Sequence, residues 1–206
     1  MGPETVLLIA NTRETRHLLQ GELRAIQQGL QFVENKEVTE GTIKGTYRGY
    51  VNSDEQREGV GVTIYDNGTK DYAEYYHDQV HGIGMTKWAN GNSYLGELKH
   101  HHRHGYGTMN WADSGYKYTG QYKDDKRNGY GVDTWPHGEA HYGQYKDDKY
   151  EGYGLYKNPN GDEYDGHHEN NKRSGMAVIK FAATGVIQRE QWKDGERIKV
   201  IEVLNK

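Results

Sequence analysis

The sequence predicts an all-β chain, an elongated single-sheet stack of antiparallel β-hairpins preceded by a short N-terminal amphipathic helix. Three observations predict it. A Gly-x-Gly pair recurs at Gly59/Gly61, Gly82/Gly84, Gly105/Gly107, Gly129/Gly131 and Gly152/Gly154, with a degenerate sixth at Gly175/Ala177, in steps of 23, 23, 24, 23 and 23 residues. A turn dipeptide follows the second member of each pair by seven or eight residues: Asn67-Gly68, Asn90-Gly91, Ser114-Gly115, His137-Gly138, Asn160-Gly161 and Thr184-Gly185. Burial must also come largely from tyrosine, because the 206 residues include 18 Tyr, 28 Gly and only 2 Phe. A motif written at a short fixed period marks one supersecondary unit stacked on copies of itself, whereas a catalytic site is built once.

Residues 1–40 read as an N-terminal strand and helix extension or cap. The apolar run Val6–Ala10 is far shorter than the roughly 20 residues of a membrane span, and acidic Glu4 stands where a signal peptide would be basic. A soluble, unsecreted chain is expected. Asn11-Thr12-Arg13-Glu14 reads as a helix N-cap. Leu18, Leu19, Leu23, Ile26 and Leu30 then fall on one face, with Gly29 as the stop. That face is expected to dock, either on the chain's own array or on a partner.

Residues 41–195 form the repeat array, about six units. Each has a first strand, marked at Tyr47-x-Gly49, Tyr94-x-Gly96, Tyr118-x-Gly120, His141-x-Gly143 and Tyr164-x-Gly166. A polar loop such as Lys123–Asn128 follows, then a second strand carrying Gly-x-Gly, then the turn. The strands alternate with period two. An isolated hairpin is marginal in water, so each must pair with its neighbours. Glycine pairs fit this arrangement, since a ring from the adjacent strand can lie flat on backbone that carries no Cβ. In the second repeat Tyr72-Ala73-Glu74 stands in place of Tyr-x-Gly, and the eight residues from Glu74 to Gly82 leave the register open. Residues 196–206, with Ile198–Val203, read as a capping strand.

Tyr-x-Gly-x-Tyr, about six polar residues, Gly-x-Gly and a turn glycine before the next tyrosine make up the pattern of the MORN repeat. The chain resembles a stand-alone MORN-repeat array from Tyr47 to Trp192. The resemblance implies a non-enzymatic, cytoplasmic scaffold or adaptor, a structural subunit of a cytoskeletal or ciliary assembly. The alternative it carries is a phospholipid-binding tether at a membrane surface.

No catalytic residue, cofactor or metal is expected. Gly-Tyr-Gly lacks the third glycine, the Gly-Lys-Ser/Thr and the βαβ context of a phosphate loop. Lys99–His104, rich in histidine, occupies a polar loop slot and reads as solvated. Without cysteine there is no disulfide or thiolate site. A net charge of −4 and a pI near 6.3 give no footprint for nucleic acid. Lys123, Lys126, Arg127, Lys146 and Lys149 alternate with Asp124, Asp125, Asp147 and Asp148, which disfavours an anionic membrane.

The aromatic residues carry the functional reading. Period-two alternation gathers Tyr65, Trp88, Tyr94, Trp111, Tyr118, Tyr122, Trp135 and Tyr145 on one face, a groove for an extended or helical segment of a protein partner. Val60, Ile83, Tyr106, Tyr130, Tyr153 and Met176 form a second row on the other face. Two apolar faces cannot both be hidden within one sheet, so a partner, a homodimer mate or the N-terminal helix must cover part.

Overall fold

The computed structural model describes residues 20, 21 and 23–205. They form two compact units, the first ending at His102 and the second beginning at Arg103. The first holds β1 (Gln31–Glu40), β2 (Ile43–Val51), β3 (Arg57–Tyr65), β4 (Lys70–Tyr76), β5 (Gln79–Lys87) and β6 (Ser93–Lys99). The second starts with β7 (His102–Asn110), β8 (Lys117–Lys123), β9 (Lys126–Thr134), β10 (Ala140–Lys146) and β11 (Lys149–Lys157). It continues with β12 (Glu163–Glu169), β13 (Lys172–Lys180), β14 (Ile187–Lys193) and β15 (Glu196–Asn205). Within each unit consecutive strands pair antiparallel in chain order, and neither ladder closes on itself. Residues 47–192 contain no helix. The fold class is the hairpin array that the glycine and turn series predict.

The connections differ from the reading. Inside every repeat after the first, where residues 52–56 join β2 to β3, the strands are joined by only two residues, both at positive φ: 48° and 68° at Asp124-Asp125, 48° and 69° at Asp147-Asp148. This conformation matches the twist of the flanking strands. Aspartate tolerates it because a short polar side chain can hydrogen-bond locally. The polar loop expected over Lys123–Asn128 is therefore mostly strand, since Lys126, Arg127 and Asn128 already belong to the nine residues of β9. His100-His101 is the same kind of turn, with φ of 49° and 66°. The Asn-Gly connections are the longer ones: Tyr65 N–H donates to Thr69 O at 2.9 Å and Gly68 N–H to Tyr65 O at 2.9 Å. The third repeat step reaches 24 residues where Trp111 N–H closes one position further on, at Tyr116 O.

The two glycines of each pair do different jobs, which the sequence reading had merged into one. Gly129, the first, has a φ of 72° and sits in a bulge where the β8–β9 register shifts between Gly120 and Tyr122. The Gln121 carboxamide fills that gap, accepting the Tyr130 N–H at 2.7 Å. Gly131, the second, lies under a ring: a Cβ there would stand 2.5 Å from Tyr118 Cε2. Repeat two resolves its own ambiguity. Ala73 pairs with Gly61 and Gly84, as Gly120 does with Gly107 and Gly131. Asp71 thus takes the tyrosine slot and Ala73 the glycine slot, which restores the nine residues to Gly82 and turns Tyr72 to the opposite face.

Helix α1 covers the described residues between 20 and 27 and ends at Gly29, whose φ is 70°. Leu30 N–H closes the end on Ala25 O at 3.1 Å. The helix docks on its own array, but through small residues. Ala25 is 1% exposed, a Cβ on Gly59 would touch Ala25 Cβ at 3.3 Å, and a Cβ on Gly21 would stand 2.6 Å from Val60 Cγ1. Leu23 and Ile26, expected on the docking face, are exposed. Glycine and alanine four residues apart let the helix backbone approach the sheet more closely than a leucine stripe would. The expected N-cap at Asn11–Glu14, with Leu18 and Leu19, lies outside the described residues.

Candidate functional site

Both units carry tyrosines buried at the same position of the repeat. Tyr47, Tyr94, Tyr118 and Tyr164 are almost wholly buried. Tyr47, Tyr118 and Tyr164 lie across glycine backbone, and all four donate the hydroxyl to the carbonyl three residues on: Tyr50, Glu97, Gln121 and His167, at 2.9, 2.8, 2.9 and 2.6 Å. In three repeats a second ring four residues on meets the first edge-on, with centroids 5.1 Å apart for Tyr118 and Tyr122, 5.2 Å for His141 and Tyr145 and 5.0 Å for Tyr164 and His168. Such pairs prefer that geometry because the electron-poor ring edge meets the electron-rich face.

Arginines lie among these rings, a feature the sequence reading passed over although its signal was present. Arg57, Arg103, Arg127 and Arg173 all precede a Gly-x-Gly pair by two residues. Arg57 lies 4.7 Å from the centroid of the Tyr75 ring and Arg127 5.3 Å from that of Tyr145. Three of the four hold the turn of the next hairpin. Arg57 Nε donates to Asp78 Oδ1 at 3.2 Å, Arg103 Nε to Asp125 Oδ1 at 3.0 Å and Arg127 Nε to Asp148 Oδ1 at 3.2 Å. A second guanidinium nitrogen reaches the same aspartate's carbonyl, at 2.6, 2.8 and 2.6 Å. The strained turn and the buried cation stabilise each other.

In the second unit this lattice closes around Asp133, which is fully buried. Its carboxylate accepts from Arg127 Nη1 at 3.0 Å, from the Tyr150 hydroxyl at 3.1 Å and from the Tyr116 hydroxyl. Burial pushes the Asp133 carboxyl above its ordinary value, and the Tyr116 hydrogen bond and the Arg127 charge pull it back down. Burial, followed by the Asp133 charge, raises the Tyr116 and Tyr145 hydroxyls far enough that both stay protonated. Tyr116 also stacks between two tryptophans, 4.5 Å from Trp111 and 4.8 Å from Trp135.

His141 holds the tyrosine slot of its repeat and lies against Gly143 and Gly154. Its Nδ1 pairs with the Tyr145 hydroxyl at 2.9 Å, but the ring is too short to reach a backbone carbonyl and Nε2 is buried without a partner among the described residues. Burial, then the neighbouring His168, lowers the His141 pKa to about 3, and burial followed by Arg173 lowers that of His168 to about 4. Both are neutral in the fold but take a proton below about 6.5 when unfolded. Their contribution is complete above that pH and is lost as pH falls toward 4 and 3. Thermal melts should therefore fall steadily between about pH 6.5 and about pH 4. His141→Tyr should add about 1 kcal/mol by supplying the missing hydroxyl, raise Tm by about 2–4 °C, and flatten part of that acid slope.

The eight residues read as a groove divide by burial. Tyr65 and Tyr94 in the first unit and Tyr118, Tyr122 and Tyr145 in the second are buried. Trp88, Trp111 and Trp135 are half-buried at the inter-repeat turns. In the second unit the opposite row is open: Tyr106, Tyr130, Tyr153 and Met176 are 61%, 64%, 51% and 46% exposed. In the first unit Val60, of the same row, lies beneath α1. Among the described residues no group of three or more His, Cys, Asp or Glu is placed to hold a metal, and no helix is long and apolar enough to cross a membrane.

The family model of the MORN repeat matches residues 55–70, 73–93, 94–116, 118–139 and 141–163. No curated protein matches the chain. Among solved structures, it is similar to the TCP domain of SAS-4 (dCPAP) of Drosophila melanogaster, solved in complex with a proline-rich motif of Ana2 (dSTIL). The identity is 13%, over 83% of this chain and 89% of that one, with a TM-score of 0.41.

Proposed function

Because the chain belongs to the MORN-repeat family, we propose that it works as a non-enzymatic scaffold that holds a segment of a protein partner along its ring face. The observation that carries this reading is the Trp111–Tyr116–Trp135 stack, half-buried above a floor of buried tyrosines. Large, stiff rings offer much contact area for few rotatable bonds, and such residues dominate the energetics of protein interfaces. In this reading Trp88, Trp111 and Trp135 touch the partner, while Tyr65, Tyr94, Tyr118, Tyr122 and Tyr145 shape the surface on which it rests. The segment is extended or helical, and the setting is a cytoplasmic structural assembly, cytoskeletal or ciliary, as the family resemblance implies.

Replacing Trp111 and Trp135 together by alanine is expected to abolish capture of the native partner from extract while leaving the β-sheet circular dichroism intact. The pair Tyr130→Ala and Tyr153→Ala, on the opposite face, should leave capture unchanged. The reverse pattern would move the groove to that face. Binding to anionic vesicles that survives the ring substitutions and is lost in raised salt would favour the membrane tether instead.

A further inference from the structure

Arg173 breaks the pattern of the other arginines. It occupies the same place in its repeat as Arg57, Arg103 and Arg127, and the following turn still docks, with Gly195 N–H donating to Arg173 O at 3.0 Å. The second residue of that turn, however, is Gly195, where the others carry Asp78, Asp125 and Asp148. Six residues on, where Arg127 finds Asp133 and Arg57 finds Thr63, Arg173 has Ile179. Its guanidinium makes no hydrogen bond or ion pair among the described residues. Ring faces hold it in place, at 4.5 Å from the centroid of Tyr164 and 5.0 Å from that of Trp192.

Arg173 also lines a cavity of about 330 Å³, together with Tyr164, Phe181, Trp192 and Glu190. That volume is at the small end of the range for ligand sites. The carboxylates on the cavity wall are already engaged. Glu190 accepts from Arg197 Nη1 at 3.0 Å and Trp192 Nε1 at 3.1 Å. Asp162 accepts from the Ala182 N–H at 2.8 Å, and Glu163 pairs with Lys157 at 3.0 Å. What remains is a positioned, half-buried cation with unused donors beside aromatic walls. A guanidinium in such a place gains most from a bidentate carboxylate.

We infer that Arg173 is a receptor for a carboxylate carried by a partner protein, an aspartate or glutamate side chain flanked by an apolar residue that lies against the half-buried Phe181 and Trp192. The incoming carboxylate takes the place that Asp78, Asp125 and Asp148 fill in the other repeats. The inference rests on the scaffold reading only for the claim that a protein brings the carboxylate. The site itself involves neither Trp111 nor Trp135, and it stands if their loss leaves capture unchanged.

The test uses the whole chain and a capped tripeptide with aspartate between two leucines. Its control is the same peptide with asparagine in the centre, and binding is followed by NMR at the arginine Nε–H resonances. The aspartate peptide should shift the Arg173 resonance saturably, and the asparagine peptide should bind about tenfold more weakly or worse. Gly195→Asp restores the carboxylate found in the other turns. Gly195 has a φ of 89°, in the left-handed region that Asp148 adopts at 69°, and a Cβ there would meet only Lys172 Cβ and Cγ, at 3.8 and 3.9 Å, so an aspartate has room at some cost in backbone strain. The substitution should cost the peptide about tenfold in affinity, because the donors are then filled from within. Arg173→Gln should lose binding to a similar extent, whereas Arg103→Gln should not. Unchanged affinity in Gly195→Asp, or equal affinity for the asparagine peptide, overturns the assignment. Equal saturation of the site by inorganic phosphate overturns the claim that the carboxylate arrives on a peptide.

Discussion

Gly131→Val is expected to unfold its repeat, with a loss of more than about 3 kcal/mol. A Cβ on Gly131 would stand 2.5 Å from both Cε2 and Cζ of Tyr118. Tyr118 has nowhere to go: it is wholly buried, its hydroxyl is bonded to Gln121 O, and its ring meets Tyr122 and Tyr145 edge-on, each at 5.1 Å. A branched side chain under a ring that cannot tilt must push the β8 and β9 backbones apart, which breaks the ladder on which both neighbouring hairpins depend. Lys126→Ala, in the same strand, removes only an exposed contact to Asp147 at 3.8 Å and should shift stability by less than about 0.5 kcal/mol. Thermal melts of the two variants provide the comparison. Equal losses would mean that the glycine is not overlaid.

Asp133→Ala should cost about 3–5 kcal/mol, for a different reason. The substitution leaves Arg127 facing a dry interior with one carboxylate fewer and takes the acceptor from the Tyr116 and Tyr150 hydroxyls. Breaking one side of a buried ion pair is far more costly than the pair's net worth, because the remaining charge stays largely out of water with only the exposed Asp148 to answer it. Asp148 bonds the same guanidinium but is 51% exposed, and water replaces most of what Asp148→Ala removes, so its loss should stay below about 1 kcal/mol. Urea unfolding of both variants at neutral pH measures the difference. The Asp133→Ala loss should also appear locally, as faster amide exchange in β9 to β11 than in β12 to β14.

The hairpin order was legible because a fold built from one repeated unit writes its constraints several times over. Gly129 alone is ambiguous, but the same glycine at five further positions in steps of 23 or 24 residues is not. The ring that lies on glycine could be anticipated for the same reason. The division of labour within Gly-x-Gly was not legible, since a positive φ and a covering ring both select glycine and leave the same letter. The register of the second repeat stayed open because Asp71 and Ala73 replace the tyrosine and glycine that would have marked it. Only the ladder partners of Ala73 reveal it.

What the sequence determined by itself is the local and periodic part: all-antiparallel hairpins, where the turn glycines fall, and the stop of α1 at Gly29. These follow from backbone sterics and side-chain alternation, which act within a few residues along the chain. Tertiary structure alone decided how charge and volume are shared between units that are distant in sequence. Arg127 could have been read as one basic residue in a solvated loop. It is instead clamped between Asp133 in its own strand and Asp148, 21 residues away in the next turn. α1 meets the sheet through Gly21 and Ala25, because the depth of contact depends on backbone approach across the interface and not on hydrophobicity summed along the helix. Arg173, identical in letter and position to its counterparts, differs only because the residue that would answer it, 22 positions later, is Gly195. That difference becomes a site only when the turn is folded back against the strand.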